Sequence, residues 1–376
     1  MRWKHPTDVT LRLSENIRTH KRHLQEGAFY VFCHKSTAFI IYLKSNDKLL
    51  WRSEGPLEDL IEKTIEKYDL EYEKISRIRG GWLVHTDGEL FLLKELRQRE
   101  KSFELSTRVR EYLRNEGLVV DYMIKNATGE EVTKWESGEQ YVLHHWEQGE
   151  GCDFHRNRHL RRSGETLAEI HGHLRCFEEA GMSSGEATAR KMNRYNQEMK
   201  RVYAYMKAKK QKTRFEYEMM KSYSFFYKKA LDVSKKLEEC AYRRKSDEQC
   251  YICHGEYNYH NVYFCGNNVF TTNYEKVHWG AQLMDLTYFL RKVMEKNNWN
   301  EEKGSELLAG YENSCRLRGE EREFIAIMLA YPMKYRKLMN QYMNGKKSFI
   351  SQKSVEKLET IQAQEELKMK YLEQLY

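Results

Sequence analysis

Proline and long apolar runs are what this sequence lacks most. It contains three prolines in 376 residues, and only Pro332 falls in the second half, where long helical patterns dominate. No apolar run approaches the length of a membrane-spanning helix, and the first residues, MRWKHPTDVTLRLSENIRTHKRH, contain no stretch like a secretory signal peptide. With a hydrophobic content of 40%, the chain is expected to fold around at least one large core and to be cytoplasmic.

Cysteine usage and charge argue against two further classes of protein. Eight cysteines in a chain of this length, without export, predict reduced thiols and not a disulfide framework. The formal net charge of +8 is modest, and basic residues are interleaved with acidic ones, as in SSGEATARKMNRYNQEMKRVYAYMKAKK. Because no zinc-finger or RNA-binding signature accompanies them, a solvated helical face is favoured over nucleic-acid binding.

The first part of the chain, up to about Glu147, has the pattern of a mostly antiparallel sheet. Turn signals such as SND and TDGE separate several of its short apolar runs, which are AFYVFC, AFIIYL, ISRIR, GWLVHT, ELFLLKEL and QYVLHHW. Two helices interrupt them. One is predicted to begin at Pro56, and the other, REKSFELSTRVREYLRNEG, is predicted to end at Gly117.

The order of these elements, with a lysine on a strand ahead of a helix, is that of a two-lobed kinase. In such enzymes the strand lysine contacts the nucleotide phosphates, and a glutamate of the following helix holds it. Lys94 in ELFLLKEL has this place, and Glu104 or Glu111 is its candidate partner. Taken alone, Lys94 is better explained as a solvated lysine at a strand end. No G-x-G-x-x-G loop precedes it, since RIRGGWLVHTDGE offers only Gly80 and Gly81.

A more specific pattern lies at residues 254–261, in HGEYNYHN. Kinase catalytic loops place a His, an Asp that accepts the substrate hydroxyl proton and, after four residues, an Asn that holds a metal ion. His254, Glu256 and Asn261 reproduce this spacing with Glu in place of Asp. The next strand should deliver a metal-binding Asp, but the residue there is Asn273. Asp285 follows at the start of an apolar helix, where a carboxylate can cap the helix or tie the loop down.

These motifs resemble the aminoglycoside phosphotransferase and choline kinase superfamily, whose usual pattern is HGDxxxxN, then IDFD or IDW, then GxPxxDLA. The corresponding segments here are HGEYNYHN and NYEKVHWGAQLMDL, and LAEIH at residues 167–171 resembles that superfamily's LAxLH helix. Within it, the chain most resembles the spore coat protein S (CotS) family of endospore-forming bacteria. KYDLEYEKISRI, DLTYFLRKVM and the C-terminal AYPMKYRKLMNQYMNGKK carry this likeness, which covers roughly Leu60 to the C-terminus.

The resemblance implies an α+β, two-lobed protein-kinase-like fold. Its N-lobe, an antiparallel sheet with helices, is expected at residues 56–147, and a larger, mainly helical C-lobe at residues 148–376. The C-lobe would contain the catalytic-type loop 254–261 and a helical insertion at residues 185–248. Residues 1–55 lie largely outside the likeness and are expected to form an extension packed on the N-lobe.

The resemblance also implies a role for each motif residue. Lys94 would contact the phosphates of ATP, held by Glu104 or Glu111, and Glu256 would stand at the position of the catalytic base. Asn261 and Asn273 would occupy the positions of the metal ligands for Mg²⁺. The remaining motif residues would be structural, and these are His254 and Asp285.

Two of these positions depart from the pattern. Glu256 keeps the carboxylate but is one methylene longer, and a misplacement of about 1 Å can cost roughly a hundredfold in rate. The change at Asn273 is more serious, because Mg²⁺ is normally held by carboxylates and phosphates, and a neutral amide removes one charge. Glu275 is the nearest carboxylate that could substitute, although residues two apart on a strand share a face and not a position.

The segment CYICH overlaps the loop and allows two other interpretations. Cys250, Cys253 and His254 match the spacing of a covalent haem site, which would need export and a second axial ligand, and the sequence signals neither. A zinc site would combine the two cysteines with Cys265 and one His, at the expense of the catalytic-loop geometry. Neither haem nor zinc is predicted, and buried structural thiols are favoured.

Three functions from different classes remain open. The leading one is a spore-coat-associated kinase-like protein with a degenerate phosphotransferase site that acts mainly as a binding scaffold. The second is an active ATP-dependent phosphotransferase for a small hydroxyl-bearing molecule, with Glu256 as base. The third is a pseudokinase that binds ATP without turnover. The implied partners are other coat proteins or a small hydroxyl-bearing molecule, with no membrane, and the implied location is the spore coat of an endospore-forming host.

Overall fold

The structure of the chain is a computed structural model. It describes the backbone of residues 28–33, 37–42 and 50–54, and then residues 56–177, 188–345 and 352–375. The predicted packing of residues 1–55 on the N-lobe lies outside the described residues, because only three strand backbones are described there. The same holds for the first residues of the predicted insertion, 185–187.

The chain divides into two compact units. The first comprises Met1–Leu96 and Met123–His144, and the second comprises Arg97–Tyr122 and His145–Tyr376. Antiparallel strands dominate the described part of the first unit, whereas long helices dominate the second. The predicted α+β class is therefore confirmed. The predicted domain boundaries at residues 55 and 147 stay predictions.

The first unit is built on an antiparallel sheet whose strands follow the order β4-β5-β6-β9-β7, with β8 paired to β9. Three further strands form a separate antiparallel sheet in the order β1-β2-β3. One helix, α1, comprises Pro56–Glu66 and begins at the predicted proline. The strands are β1 Ala28–Cys33, β2 Thr37–Tyr42, β3 Leu50–Glu54, β4 Lys74–Ile78, β5 Gly81–His85, β6 Leu90–Glu95, β7 Met123–Ile124, β8 Thr133–Lys134 and β9 Gln140–Trp146.

The core of the first unit forms between one face of the larger sheet and α1. Ile61 and Ile65 are one helical turn apart, so both reach the same buried face. They pack with Val84, Leu93 and Leu143 from neighbouring strands. These buried side chains support β6, the strand that carries the candidate lysine Lys94.

Helices form most of the second unit. A small sheet has the strand order β10-β12-β13, and a second strand pair joins β11 to β14. The described helices of the second unit are α2 Glu100–Asn115, α3 Asn157–Arg175, α4 Thr188–Ala208, α5 Arg214–Glu239, α6 Ala241–Glu248, α7 Leu283–Lys296, α8 Glu301–Ser314, α9 Gly319–Ala330, α10 Met333–Asn344 and α11 Gln352–Glu373. Its strands are β10 Glu150–Gly151, β11 Tyr251–Cys253, β12 Val262–Cys265, β13 Asn268–Thr271 and β14 His278–Gly280.

The contact between α3 and α8 is close enough to require glycine. A Cβ at Gly164 would lie 2.3 Å from the backbone oxygen of Leu307, so only glycine lets the two helices approach to this distance. Leu167 and Ile170, on the same helix, are fully buried. This contact fixes α3, the helix that brings His171 to the candidate site.

Two further properties concern the described residues as a whole. None of the helices described is both long enough and apolar enough to cross a membrane. The seven cysteines described in residues 56–177, 188–345 and 352–375 are free thiols, and Cys152, Cys240 and Cys253 among them are buried.

Candidate functional site: a kinase-type loop

The predicted loop lies between two strands of the second unit. Strand β11 ends at Cys253, residues 254–261 follow, and β12 begins at Val262. Strand β11 pairs with β14, while β12 forms a hairpin with β13, so both ends of the loop are held by antiparallel ladders. The chain after β13 passes through Asn273 and a 3-10 turn at Tyr274–Lys276 before it reaches β14.

Asp285 ties the loop to the first turn of α7. One carboxylate oxygen accepts a hydrogen bond from the backbone N–H of His254 at 2.7 Å, and the other accepts one from that of Gly255 at 2.8 Å. Burial alone would raise the pKa of Asp285, but its hydrogen bond and charge interaction with His171 lower the pKa overall. The buried carboxylate therefore serves as a double acceptor for the loop backbone.

His254 is buried, and the contacts of its ring fit a neutral imidazole. Its Nε2 lies 3.1 Å from the backbone oxygen of Thr272, so Nε2 carries the proton and donates it. Its Nδ1 then accepts the backbone N–H of Glu256 at 3.2 Å. Burial lowers the pKa of His254, although the charge of Asp285 acts in the opposite direction. The histidine thus fixes the backbone at the candidate base.

His171 of the LAEIH segment supports Asp285 from α3. Its Nε2 lies 3.5 Å from the Asp285 carboxylate, and its Nδ1 lies 2.9 Å from the Tyr311 hydroxyl. Burial lowers the pKa of His171 despite the opposing effect of Asp285. We therefore assign His171 a positioning role, for which the only signal in the sequence is its place in the LAEIH segment.

Gly255 allows the loop to pass against the segment that follows Asn273. Its φ is +80°, and a Cβ at this position would lie 2.0 Å from the backbone oxygen of Lys276. Both the left-handed backbone and the close approach exclude a larger residue. We call His171, His254, Gly255 and Asp285 the anchor.

Glu256 is held at its backbone and partly exposed at its side chain. The side-chain amides of Asn258 and Asn261 donate to its backbone oxygen at 2.7 and 2.9 Å. Its carboxylate forms an ion pair with Lys276 at 2.8 Å, and 28% of the side chain is exposed. The role of Glu256 as a base stays a prediction, and the structure shows that its carboxylate is accessible from solvent.

Asn261 and Asn273, the two predicted metal-position residues, lie next to each other. The side-chain amide of Asn273 donates to the amide oxygen of Asn261 at 3.3 Å. Asn273 has a left-handed backbone with φ of +75°, a conformation that asparagine adopts more readily than most residues. We call Asn258, Asn261 and Asn273 the amide cluster.

Glu275 pairs with a buried arginine. Arg110 of α2 lies 3.4 Å from the Glu275 carboxylate and donates from Nε to Asp121 at 3.2 Å. Burial alone would lower the pKa of Arg110, but the charges of Asp121 and Glu275 raise it. Sequence reasoning missed Arg110; the available signal was a charged residue within the buried face that includes Ser106, Val109 and Leu113.

Lys94, which is predicted to bind phosphate, and its candidate partners Glu104 and Glu111 belong to different units. Lys94 is half-buried on β6 of the first unit, whereas Glu104 and Glu111 are exposed on α2 of the second. Within the first unit, the stem of the Lys94 side chain lies close to Gly81 of the neighbouring strand β5. A Cβ at Gly81 would be 3.2 Å from it. The pairing of Lys94 with Glu104 or Glu111 stays a prediction.

The donor set around the loop fits Mg²⁺ poorly. Hard cations prefer charged carboxylate oxygens, and Mg²⁺ demands near-octahedral geometry. Asn261 and Asn273 offer neutral amide oxygens, and one of these already accepts a hydrogen bond from the other residue. The Glu275 carboxylate lies against Arg110. No chemical step through a metal is therefore derived for this loop.

The CYICH segment has the surroundings of a structural element. Cys253 is fully buried, and burial raises its pKa well above that of a free thiol, which disfavours the thiolate that a metal needs. Both ring nitrogens of His254 already contact backbone groups of the loop. A haem or zinc ligand role for this histidine would break contacts that hold the loop.

Comparison with known families shows which family the chain belongs to. The family described as "Spore coat putative kinase YutH" matches residues 61–375, and the chain belongs to this family. The resemblance to spore coat kinase-like proteins, which was expected to begin near Leu60, is confirmed. No curated protein sequence gives a significant match.

Solved structures confirm the kinase-like fold. An aminoglycoside phosphotransferase from Alicyclobacillus acidocaldarius has a TM-score of 0.69 at 13% identity, over 84% of this chain and 94% of its own. A microcompartment-associated aminopropanol kinase has a TM-score of 0.59 at 13% identity, over 85% and 98%. Amicoumacin kinase hAmiN, solved with AMP-PNP, Ca²⁺ and Ami, has a TM-score of 0.59 at 12% identity, over 84% and 94%. At these identities the likeness shows the fold alone.

Proposed function

We propose that the chain is a spore-coat-associated kinase-like protein that uses its fold to bind, as a pseudokinase or scaffold with a degenerate phosphotransferase site. The observation that carries this proposal is the amide pair of Asn261 and Asn273. Where metal-dependent phosphoryl transfer needs carboxylates that neutralise phosphate charge, this pair offers neutral oxygens. In an endospore-forming host, its location would be the spore coat and its partners other coat proteins.

The anchor supports a binding role. Asp285 and His254 are buried and hydrogen-bonded, and they fix the loop whether or not a reaction takes place on it. A kinase fold can persist in this way after its chemistry is lost, because fold and function are separable. The same rigid loop would present Glu256 and the amide cluster to a nucleotide or to a protein partner.

An active phosphotransferase is the second candidate, because Glu256 retains a positioned carboxylate. Asn258 and Asn261 fix its backbone, and the side chain is partly exposed. In that function Glu256 would accept the proton of a substrate hydroxyl while the γ-phosphoryl group of ATP moves to the hydroxyl oxygen and ADP leaves. The solved relatives named above are kinases of small molecules, which makes a small hydroxyl-bearing acceptor the natural substrate class.

A thermal-shift titration with ATP separates nucleotide binding from a pure scaffold. A ligand that binds only the folded state raises the melting temperature, so a nucleotide-binding pseudokinase is stabilised by ATP and a scaffold without a nucleotide site is not. The degenerate metal positions predict that ATP stabilises equally with and without Mg²⁺. Stabilisation that requires Mg²⁺ would contradict the conclusion drawn from Asn273.

Restoring both carboxylates is the decisive activity test. We expect the unmodified protein to show no measurable transfer from ATP, and we expect Glu256→Asp combined with Asn273→Asp to gain ATP hydrolysis that depends on Mg²⁺. The matched control is Glu238→Asp with Asn115→Asp, which makes the same two chemical changes at exposed positions outside the loop. Rapid ATP turnover by the unmodified protein would refute the pseudokinase and favour the second candidate.

A further inference from the structure

Positive charge is concentrated on one pair of helices in the second unit. Residues 188–231, which comprise α4, the turn after it and most of α5, contain thirteen basic and three acidic residues, a net formal charge of +10. The whole chain carries +8, so the rest of it is close to neutral. Such an asymmetry within one chain indicates a surface for an anionic partner.

The three acidic residues of this segment do little to neutralise its surface. Glu198 pairs with Arg336 of α10 at 2.9 Å, and Glu216 is buried against Lys209. The third, Glu218, is only partly exposed. Within this segment, all of which the structure describes, ten basic residues are exposed and no acidic residue is. The positive charge therefore faces solvent.

The exposed side of α5 has the spacing of a helix-pairing surface. Three neighbours, α4, α9 and α11, pack against the other sides of this helix. The exposed residues recur at intervals of four and three, as the a and d positions of a coiled coil do. Lysines occupy every second place of this series. We call the series the outer face of α5, and its members are Tyr217, Lys221, Ser224, Lys228, Leu231 and Lys235.

Apolar side chains alternate with the lysines of the outer face. Tyr217 is 64% exposed and Leu231 46%, and Phe225, at the edge of this face, is 53% exposed. A surface that only attracts charge has no need of them, whereas a packed interface combines apolar contacts with charged ones around them. The partner should therefore present apolar side chains beside its acidic ones.

An open groove of about 550 Å³ lies along the edge of the outer face, between α5 and α11. Phe225 and Phe226 of α5 and Met369 of α11 form the apolar part of its walls. Lys229, also in the wall, is neutralised by Glu365 at 2.8 Å. A groove of this kind accepts the apolar side chains of an amphipathic helix.

The far wall of the groove limits the width of the partner. Glu366 of α11 lines the groove, and Glu373 lies two turns further along the same exposed face. A bilayer or a long nucleic-acid strand would extend over these carboxylates and be repelled by them. A single helix is only about 10 to 12 Å wide, so it can keep its acidic residues over the lysines of α5.

We propose that the outer face of α5 and the adjoining groove bind an acidic amphipathic helix of another protein. Its carboxylates would face Lys221 and Lys228, and its apolar side chains would enter the groove beside Phe225. This inference rests on the proposed function, because it gives the scaffold a docking surface and a class of partner. It requires neither ATP nor the candidate loop.

The test is fluorescence anisotropy of a labelled peptide that is titrated with the full chain at low ionic strength. The probe is a designed peptide of about 18 residues, or roughly five helical turns, with leucines spaced four and three apart and glutamates elsewhere. Its control carries glutamine in place of every glutamate. We expect the glutamate peptide to bind at least about tenfold more tightly than the glutamine peptide, and to lose affinity when salt is added.

A double lysine variant tests the outer face. Lys221→Gln with Lys228→Gln should weaken binding of the glutamate peptide at least about fivefold, because two cations beside its carboxylates are lost. The matched control, Lys353→Gln with Lys357→Gln, removes the same charge from exposed positions of α11 outside the groove wall and should change the affinity less than about twofold. Because all four lysines are exposed, the melting temperatures should stay unchanged.

An apolar substitution tests the groove. Phe225→Ala should weaken binding of the glutamate peptide at least about threefold, because the peptide loses apolar contact with the groove wall. Leu367→Ala is the control, since Leu367 is 45% exposed on α11 and does not line the groove. Unchanged affinity in Phe225→Ala would contradict docking in the groove.

Three other outcomes would overturn the inference. The first is tighter binding of a uridine oligonucleotide or of phosphatidylglycerol vesicles than of the glutamate peptide, and the second is equal weakening by the two double lysine variants. The third is self-association in sedimentation velocity that Lys221→Gln with Lys228→Gln abolishes, which would assign the outer face to a second copy of this chain. The proposed function fails separately, through ATP turnover by the unmodified protein, and that result leaves the peptide measurements intact.

Discussion

The anchor lies next to the two motif positions that depart from the family pattern, Glu256 and Asn273, but the two groups differ in what holds them. His254 and Asp285 in the anchor are buried and make short hydrogen bonds to backbone groups. Asn273 and Glu256 lie on the more exposed side, where the contacts are a 3.3 Å amide pair and an ion pair with Lys276. The difference teaches that buried groups fix the backbone at the start of the loop, whereas the two positions that depart from the family pattern are held by contacts nearer the surface.

The largest loss of stability is expected when the Asp285 carboxylate of the anchor is removed. Asp285→Ala leaves the buried N–H of His254 and the partly buried N–H of Gly255 without their acceptor and should lower the free energy of unfolding by about 3 to 5 kcal/mol. Urea denaturation at pH 7.5 measures this change. Asp232→Ala, at an exposed position on α5, should stay within about 0.5 kcal/mol. A loss below about 1 kcal/mol for Asp285→Ala would show that the anchor does not hold the loop.

Replacing Gly255 tests the backbone of the anchor. Gly255→Ala should lower the free energy of unfolding by about 2 kcal/mol or more, because its Cβ would collide with the backbone oxygen of Lys276. Gly266→Ala is the matched control. Its φ of +61° is also left-handed, but a Cβ there meets nothing within 4 Å, so only the conformational cost of about 1 kcal/mol is expected. Equal losses would exclude the collision as the cause.

Acid should destabilise the anchor through its histidines. Burial lowers the pKa of His171 and His254 in the folded state below the ordinary value of 6.5, so the unfolded chain binds more protons below that pH. The free energy of unfolding should therefore fall as the pH drops below about 6.5, by up to about 1.4 kcal/mol per pH unit for each histidine. Urea denaturation at a series of pH values measures this slope. His171→Gln should reduce it by the contribution of about one bound proton. A slope that His171→Gln leaves unchanged, or that the exposed His278→Asn reduces equally, would contradict this origin.

The smallest effect is expected at Glu256. Its ion pair with Lys276 is partly exposed, and such pairs contribute about 0 to 1 kcal/mol. Glu256→Gln should change the free energy of unfolding by less than about 1 kcal/mol, and the double-mutant cycle with Lys276→Gln should give a coupling energy of the same size. A coupling energy above about 2 kcal/mol would mean that the candidate base is itself part of the fold's support.

Much of the loop could be predicted because local rules determine it. The spacing of His254, Glu256 and Asn261 predicts a loop at residues 254–261, which the structure shows between β11 and β12, and a proline in a first helical turn predicts the start of α1 at Pro56. Strand β9 agrees with the apolar run QYVLHHW residue for residue. Patterns of this kind depend on neighbours in sequence, so one sequence is enough to read them.

What could not be predicted depends on contacts between distant segments. The groove between α5 and α11 exists only because these two helices pack together, and the partner of Glu275 is Arg110 of a helix that begins far earlier in the chain. The sequence also left Glu104 and Glu111 equivalent, and both are exposed. Helical periodicity assigns residues to faces of a helix, but it does not say which segment covers each face.

The left-handed backbone at Asn273 has a consequence for evolution. Aspartate tolerates this conformation nearly as well as asparagine does, so the chain keeps a shape that can accept the missing carboxylate without rebuilding. The codons of the two residues differ by a single base, as do those of glutamate and aspartate. A lineage that carries this loop therefore stands one nucleotide change away from a carboxylate at residue 273, on a backbone that already suits it.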